Sequence, residues 1–198
     1  MNASQPFSIA SVMPLSPPAE REPIHERRVH CHGYRRKDGL WDVEGHLVDV
    51  KAYAFDSTER GHVEAGVPVH EMRVRITVDD DFVVHSAEAC TEYAPYGVCA
   101  QAAPSMEKIR GMRIGSGWRR EIEKRLGGTL GCTHLRELLG PMATTAFQTI
   151  VPIRAKQMKA TSGNRPTLLG TCHAYASDSP VVKRLWPEHY RKTGTGES

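Results

Sequence analysis

An alternating apolar pattern over residues 72–90 places the strongest constraint on the fold of this chain. Every second residue from Met72 to Val78 is apolar, and the residues between them are Arg73, Arg75 and Thr77. This pattern predicts a strand with one buried face. An acidic turn follows at 79–81, and residues 82–90 predict the next strand. The sequence therefore predicts an antiparallel pair of strands over residues 72–90.

A second pair of alternating segments precedes it. Residues 28–36 and 40–55 flank the turn sequence Lys37-Asp38-Gly39, which predicts a β-hairpin. In the second arm, the polar residues at 42, 44 and 46 share one face, and the apolar residues at 41, 43 and 47 share the other. Residues 56–67 predict a polar loop.

The apolar period lengthens after residue 93. Residues 97–110, 115–126 and 133–151 predict three helices, with an interruption at Pro104, an N-cap at Ser116 and a kink at Gly140-Pro141. A loop is predicted at 160–180 and a last helical turn within 181–191. Strands in the first half and helices in the second predict an α+β fold, an antiparallel sheet with helices packed on one face.

The domain organisation follows from composition. Residues 1–22 are rich in Pro, Ser and Ala, which predicts a flexible N-terminal segment. Residues 23–158 are predicted to form a single α+β domain. Residues 159–198 are predicted to be a C-terminal extension that packs on the domain.

Charge and motif content argue against several function classes. The net charge of +3 is mild and no Lys/Arg-rich block is present, so nucleic acid is not an expected partner. No run of eighteen apolar residues and no secretory leader are found, so a membrane partner is not expected. Five cysteines without regular spacing suit free thiols in a reducing, cytoplasmic compartment. The phosphate-binding, dinucleotide-binding, nucleophile-elbow and CxxC motifs are not present.

The segment Gly131-Cys132-Thr133-His134 carries the strongest signal for chemistry. Cys132 and His134 stand at the predicted start of the third helix. The positive end of the helix dipole favours a thiolate there. A thiolate beside an imidazole is either a metal-ligand pair or a nucleophile with its base. Cys132 and His134 are therefore candidate catalytic residues.

The first hairpin is a second candidate surface, either a solvated face or a wall that contacts substrate. Glu44 and His46 share a strand face and could serve as acid and base. Arg35 or Arg36 could bind a carboxylate or phosphate through paired hydrogen bonds. Trp41 and Tyr34 could line an aromatic pocket. Arg35, Arg36, Trp41 and Tyr34 are the candidate substrate-binding residues, and Glu44 and His46 are further candidate catalytic residues.

Four runs of sequence resemble a known family. They are GYRRKDGLWDVEGHLVD, GVPVHEMRVRITVD, GCTHLRELLGPMATTAFQ and DSPVVKRLWPEHY. They resemble the signatures of the bacterial domain-of-unknown-function family 2889 over roughly residues 27–191. The resemblance implies no particular activity.

The predicted order of elements also resembles, more distantly, the iron–sulfur scaffold and sulfur-acceptor proteins. Carried across by position, that resemblance implies a metal site of His70, Cys99 and Cys132, with His134 close by. The ligand types suit zinc or iron. Because Pro68 stands where the scaffold has its first-loop cysteine, a single ion is expected ahead of an iron–sulfur cluster.

Three functions are left open by the sequence. The first is a small enzyme, a metal- or thiol-dependent lyase, hydrolase or isomerase, acting on a small organic acid or aromatic metabolite at a site around Cys132. The second is an iron–sulfur or sulfur-transfer scaffold. The third is a non-catalytic accessory subunit. The expected partners are a small-molecule substrate and either a second copy of the chain or a larger enzyme.

Overall fold

The four longest strands form one antiparallel sheet. The structure, a computed structural model, describes residues 15–157 and 168–192. The strands of the sheet are β1 (His25–Arg35), β2 (Trp41–Lys51), β5 (Pro68–Val78) and β6 (Val84–Tyr93), in the spatial order β1-β2-β5-β6. Both predicted antiparallel pairs are confirmed. The predicted loop at 56–67 instead contains a two-stranded ribbon of β3 (Phe55–Ser57) and β4 (Gly61–Val63).

The helices follow the sheet in the chain. They are a 3-10 segment at Gly97–Ile109, α1 (Trp118–Leu126), a 3-10 turn at Gly128–Leu130, α2 (Thr133–Gln157), a 3-10 turn at His173–Tyr175, α3 (Pro180–Leu185) and a 3-10 turn at Pro187–His189. The described part of the chain therefore has an α+β fold, as predicted. No helix among these residues is long and apolar enough to cross a membrane.

Two of the predicted helices differ from the structure in type or start. The 97–110 segment is 3-10 rather than α, and Pro104 lies inside it. A proline lacks the N–H that an α-helical ladder needs and its ring crowds the preceding turn. Helix α1 starts at Trp118 because Gly117 adopts a left-handed φ of 84° at the N-cap, so Ser116 does not cap the helix.

One face of the sheet is buried beneath α2. From Trp41 to Asp49 of β2 the odd-numbered residues are buried and the even-numbered ones are half-exposed; the alternation ends at the register shift between Asp49 and Val50. Helix α2 approaches the sheet closely at Gly45, where an added Cβ would lie 2.7 Å from Sδ of Met142. The core includes Met72 and Ile76 of β5 and Leu138 of α2, none of which is exposed. This packing places the first turn of α2 above the ends of β2 and β5 at which the candidate site lies.

The chain divides into two compact units, Met1–Ile150 and Val151–Ser198. The sheet, α1 and the candidate site residues lie in the first unit. In the second unit, the side chain of Ser179 caps α3 by accepting a hydrogen bond of 3.1 Å from the backbone N–H of Val182. The predicted flexible segment at 1–22 lies partly outside the described residues. The predicted packing of residues 159–198 on the domain remains a prediction.

Candidate active site

A buried carboxylate lies at the centre of the candidate site. Asp49 lies on the apolar face of β2 and is 1% exposed. Arg27, its cross-strand partner on β1, donates from Nε to Oδ1 at 2.7 Å and from Nη2 to Oδ2 at 2.8 Å. Burial alone opposes ionisation, but the hydrogen bonds and charge of Arg27, helped by His70 and His25, hold the pKa of Asp49 below its usual value. Asp49 is therefore a fixed negative charge.

Two stacked imidazoles face this carboxylate. His70 is the cross-strand neighbour of Asp49 on β5, and His134 comes from the first turn of α2. Their ring centroids are 3.8 Å apart with 27° between the planes. Nδ1 of His70 lies 3.2 Å from Oδ2 of Asp49, and Nε2 of His134 lies 3.8 Å from the same oxygen. Burial, reinforced by His134, lowers the pKa of His70, although Asp49 opposes that shift.

Cys132 occupies the N-cap position of α2. Its carbonyl accepts the first helical hydrogen bond, from the N–H of Arg136 at 3.0 Å. Its sulfur is half-buried and lies 4.0 Å from Nδ1 of His134. Burial opposes ionisation of this thiol, but His134 and the backbone N–H groups of His134 and Leu135 outweigh it, so the pKa of Cys132 lies below its usual value.

The site therefore runs in a line from sulfur to imidazole to carboxylate. His134 directs Nδ1 toward Cys132 and Nε2 toward Asp49. A nucleophile, a base and a group that orients the base are the three parts of a thiol-dependent active site. Both distances are longer than those of ordinary hydrogen bonds, and such contacts commonly shorten when substrate binds.

A metal ion is a second possible occupant. Asp49, His70 and His134 each offer one ligand atom, all within 4.8 Å of one another. Imidazole lone pairs lie in the ring plane, so those of two nearly parallel rings do not meet at a common point about 2 Å from both nitrogens. This geometry suits two imidazoles facing one carboxylate better than two imidazoles binding one ion. Zinc or iron at this site remains a prediction.

The predicted ligand set is assembled only in part. His70 and His134 come together, and Cys132 contacts His134, but the group of potential ligands includes Asp49 rather than Cys99 or Cys132. Cys99 lies half-buried in the 3-10 segment at Gly97–Ile109. All five cysteines are free, as the sequence predicts.

Glu44 and His46 lie on the opposite face of the sheet from Asp49. Side chains alternate along a strand, and the even-numbered residues 42–48 of β2 point away from α2. Glu44 accepts a 2.7 Å hydrogen bond from Nε of Arg75, and Nε2 of His46 lies 2.9 Å from Oε1 of Glu71. Both residues line an open groove of about 350 Å³ on that face. The structure does not bring them together with Cys132.

The four candidate substrate-binding residues are also divided between the two faces. Trp41 is buried in the core, where its Nε1 donates to Asp80 at 2.9 Å, and the guanidinium of Arg35 lies 5.5 Å from its ring centroid. Tyr34 is exposed on the open face. Arg36 already donates a hydrogen bond of 2.7 Å to Asp38 and a longer one of 3.3 Å to Asp42 of β2. The substrate-binding roles remain predictions.

Asp49 and Arg27 belong to the candidate site but were not selected from the sequence. The signal was present in the alternation of β2, because Asp49 follows 41, 43, 45 and 47 on the buried face. A carboxylate on an apolar face must be paired with a cation or a donor. Arg27 holds the matching position on β1.

Comparison with known families identifies the sequence group. Residues 25–148 match the family described as a protein of unknown function, DUF2889. The chain belongs to the DUF2889 family. The matched segment begins at β1, ends within α2 and contains Arg27, Asp49, His70, Cys132 and His134. No curated protein and no solved structure matched the chain. The resemblance to the iron–sulfur scaffold fold therefore remains a prediction.

Proposed function

We propose that this protein is a thiol-dependent hydrolase of a small organic acid ester or thioester, with Cys132 as nucleophile. The observation that carries the proposal is the position of the His134 imidazole between the sulfur of Cys132 and the carboxylate of Asp49. This arrangement supports the first of the three functions left open by the sequence.

Three features of the site favour attack by a thiolate. The N-cap position puts the sulfur at the positive end of a 25-residue helix. His134 can accept the thiol proton at Nδ1, while Asp49 stabilises the imidazolium that results. Sulfur and imidazole are both partly exposed, so a small molecule can reach them.

The first half of the reaction forms a covalent intermediate. The thiolate of Cys132 attacks the carbonyl carbon and forms a C–S bond. The bond from that carbon to the leaving oxygen or sulfur then breaks, and the leaving group takes the proton held by His134. The acid part of the substrate is left as a thioester on Cys132.

The proposal is tested by alkylating the protein with iodoacetamide and following each cysteine by peptide mass spectrometry across pH. We expect Cys132 to react first, at a pH below the usual thiol range, since its pKa is lowered. We expect His134→Gln to slow its alkylation at neutral pH, because the imidazole of His134 is one of the groups that lower the pKa of this thiol.

Cys31 provides an internal control. It is also half-buried, but burial raises its pKa, with only partial opposition from Thr145. The variants Glu44→Gln and His46→Gln are matched controls on the opposite face of the sheet and are expected to leave alkylation of Cys132 unchanged. Faster alkylation of Cys31 than of Cys132 would contradict the proposal. So would one equivalent of zinc or iron in purified protein that Asp49→Asn removes.

A further inference from the structure

We propose that His70 is the general base for the second half of the reaction, the attack of water on the thioester at Cys132. The inference rests on the proposed thiol chemistry and assigns a separate role to the second imidazole of the site. The two rings are stacked on each other, yet His134 alone contacts the sulfur. A second imidazole beside the same carboxylate is not needed to form the thiolate.

The position of His70 fits a base that remains neutral. Its Nδ1 lies 3.2 Å from Oδ2 of Asp49, closer than the 3.8 Å of His134 Nε2. A neutral imidazole with its proton on Nδ1, facing a carboxylate, has its lone pair on Nε2. The negative charge of Asp49 then stabilises the imidazolium that forms when Nε2 accepts a proton. Burial also lowers the pKa of His70, which favours the neutral form of the ring.

The site also offers water access at His70. Its side chain is 18% exposed, whereas Asp49 beneath it is 1% exposed. In the proposed step, water transfers a proton to Nε2 of His70 as its oxygen attacks the carbonyl carbon of the thioester. The C–S bond breaks and the thiolate of Cys132 is restored. The product leaves as a carboxylic acid that carries the second proton of the water and ionises in solvent, and His70 then releases its own proton to solvent.

The separate roles of Cys132 and His70 are tested with p-nitrophenyl acetate. The release of nitrophenolate is followed over time, and the acetyl group on Cys132 is followed by intact-protein mass spectrometry. Wild type is expected to release nitrophenolate and to carry little acetyl group at steady state. Cys132→Ser is expected to form no acetyl-enzyme. His70→Gln is expected to acetylate at the wild-type rate, to accumulate acetyl-Cys132, and to turn over about 100-fold more slowly, the contribution typical of a general base.

A matched control and a rescue separate catalysis from structure. His85 places its Nε2 2.8 Å from Oδ2 of Asp79, so His85→Gln removes an imidazole beside a carboxylate that is not part of the site. We expect His85→Gln to behave like wild type. Hydroxylamine, a stronger nucleophile than water, is expected to release the acetyl group from His70→Gln. His70→Asn is measured in parallel, and whichever variant keeps the wild-type melting temperature is used.

The outcomes distinguish this inference from the proposed function. If wild type forms no acetyl group on Cys132 and releases no nitrophenolate that depends on Cys132, the proposed function is wrong and the inference with it. If Cys132 is acetylated but the His70 variant turns over within threefold of wild type, the role of His70 alone is wrong. Equal loss of acetylation and turnover would assign His70 a structural role and also overturn the inference.

Discussion

At the scale of single residues, the carboxylate of Asp49 organises the site and also stabilises the fold. A buried carboxylate is costly unless charge and hydrogen bonds compensate its lost hydration. Asp49 has the paired hydrogen bonds of Arg27, and Arg27 also contacts Glu137 of α2. The side chain of Arg27 therefore connects β1 with β2, through Asp49, and with the first turns of α2, through Glu137.

Replacing this carboxylate is expected to destabilise the protein. Asp49→Asn removes one of the two carboxylates that Arg27 contacts, and because Arg27 is 37% exposed and still contacts Glu137, water and Glu137 compensate part of the loss. We expect the free energy of unfolding to fall by about 1–3 kcal/mol, measured by urea denaturation at neutral pH. Asp38→Asn, which breaks the exposed pair with Arg36, is the control and is expected to have no measurable effect.

The pH dependence of the unfolding free energy, compared between wild type and Asp49→Asn, tests whether ionised Asp49 stabilises the fold. The pKa of Asp49 in the folded protein is lowered from the ordinary value of 3.8. Its contribution to stability is therefore present above that value and is lost as pH falls through the lower folded pKa. The difference in unfolding free energy between wild type and Asp49→Asn should narrow as the pH falls from about 5 to below the ordinary value of 3.8. A constant difference over that interval would show that Asp49 does not ionise with a lowered pKa.

The sequence selected Cys132 and His134 of the candidate site but not Asp49, which lies at its centre. Cys132 and His134 are two residues apart at a predictable helix start, and local rules describe such positions well. Asp49 and Arg27 are on strands whose register depends on pairing along the chain, and no local pattern gives their distance to α2. For Glu44 and His46, the alternation correctly predicted that they share one face of β2. It did not predict that this face points away from α2.

At the scale of secondary structure elements, two glycines set the distance between α2 and the sheet. Gly33 of β1 faces Thr149, and Gly45 of β2 faces Met142 and Leu138. Neither glycine has the positive φ that would require it for backbone reasons, so the requirement is for space. The approach of α2 over Gly45 determines how near the first turn of α2, with Cys132 and His134, comes to the sheet.

A side chain at Gly45 should therefore disturb both stability and the site. Gly45→Val places methyl groups against the sulfur of Met142, and such overpacking typically costs about 1–3 kcal/mol. We expect a lower melting temperature and slower alkylation of Cys132, measured by calorimetry and mass spectrometry. Gly115→Ala is the control, since its added Cβ would meet no atom within 4 Å. A melting temperature for Gly45→Val equal to that of Gly115→Ala would show that the core yields without strain.

The elements themselves were predictable to different degrees. The strands of the main sheet were found because alternation reports burial of one face directly. The 3-10 character of Gly97–Ile109 was missed, because its apolar spacing resembles that of an α-helix and the effect of Pro104 on the whole segment depends on packing. The ribbon of β3 and β4 was missed because strands of three residues are too short to show a period.

At the scale of the whole molecule, the candidate site belongs to one compact unit. Arg27, Asp49, His70, Cys132 and His134 all lie within Met1–Ile150 and also within the segment that matches the DUF2889 family. The predicted boundary after residue 158 and the observed boundary after Ile150 both fall beyond these residues. The chemistry proposed for Cys132 thus requires only groups that this unit supplies.

Removal of residues 158–198 tests that independence. The truncated chain keeps α2 through its last residue, Gln157, and keeps every residue assigned to the site. We expect alkylation of Cys132 to keep its wild-type rate and its wild-type pH dependence.

The full-length variant Cys172→Ser is the control, because it removes the thiol of the second unit while leaving that unit in place. If truncation slows alkylation of Cys132 and Cys172→Ser does not, the second unit contributes to the environment of the thiol. Because the pKa of Cys132 depends on the first turn of α2, a raised pH midpoint after truncation would show that this turn is held in place by residues beyond Gln157.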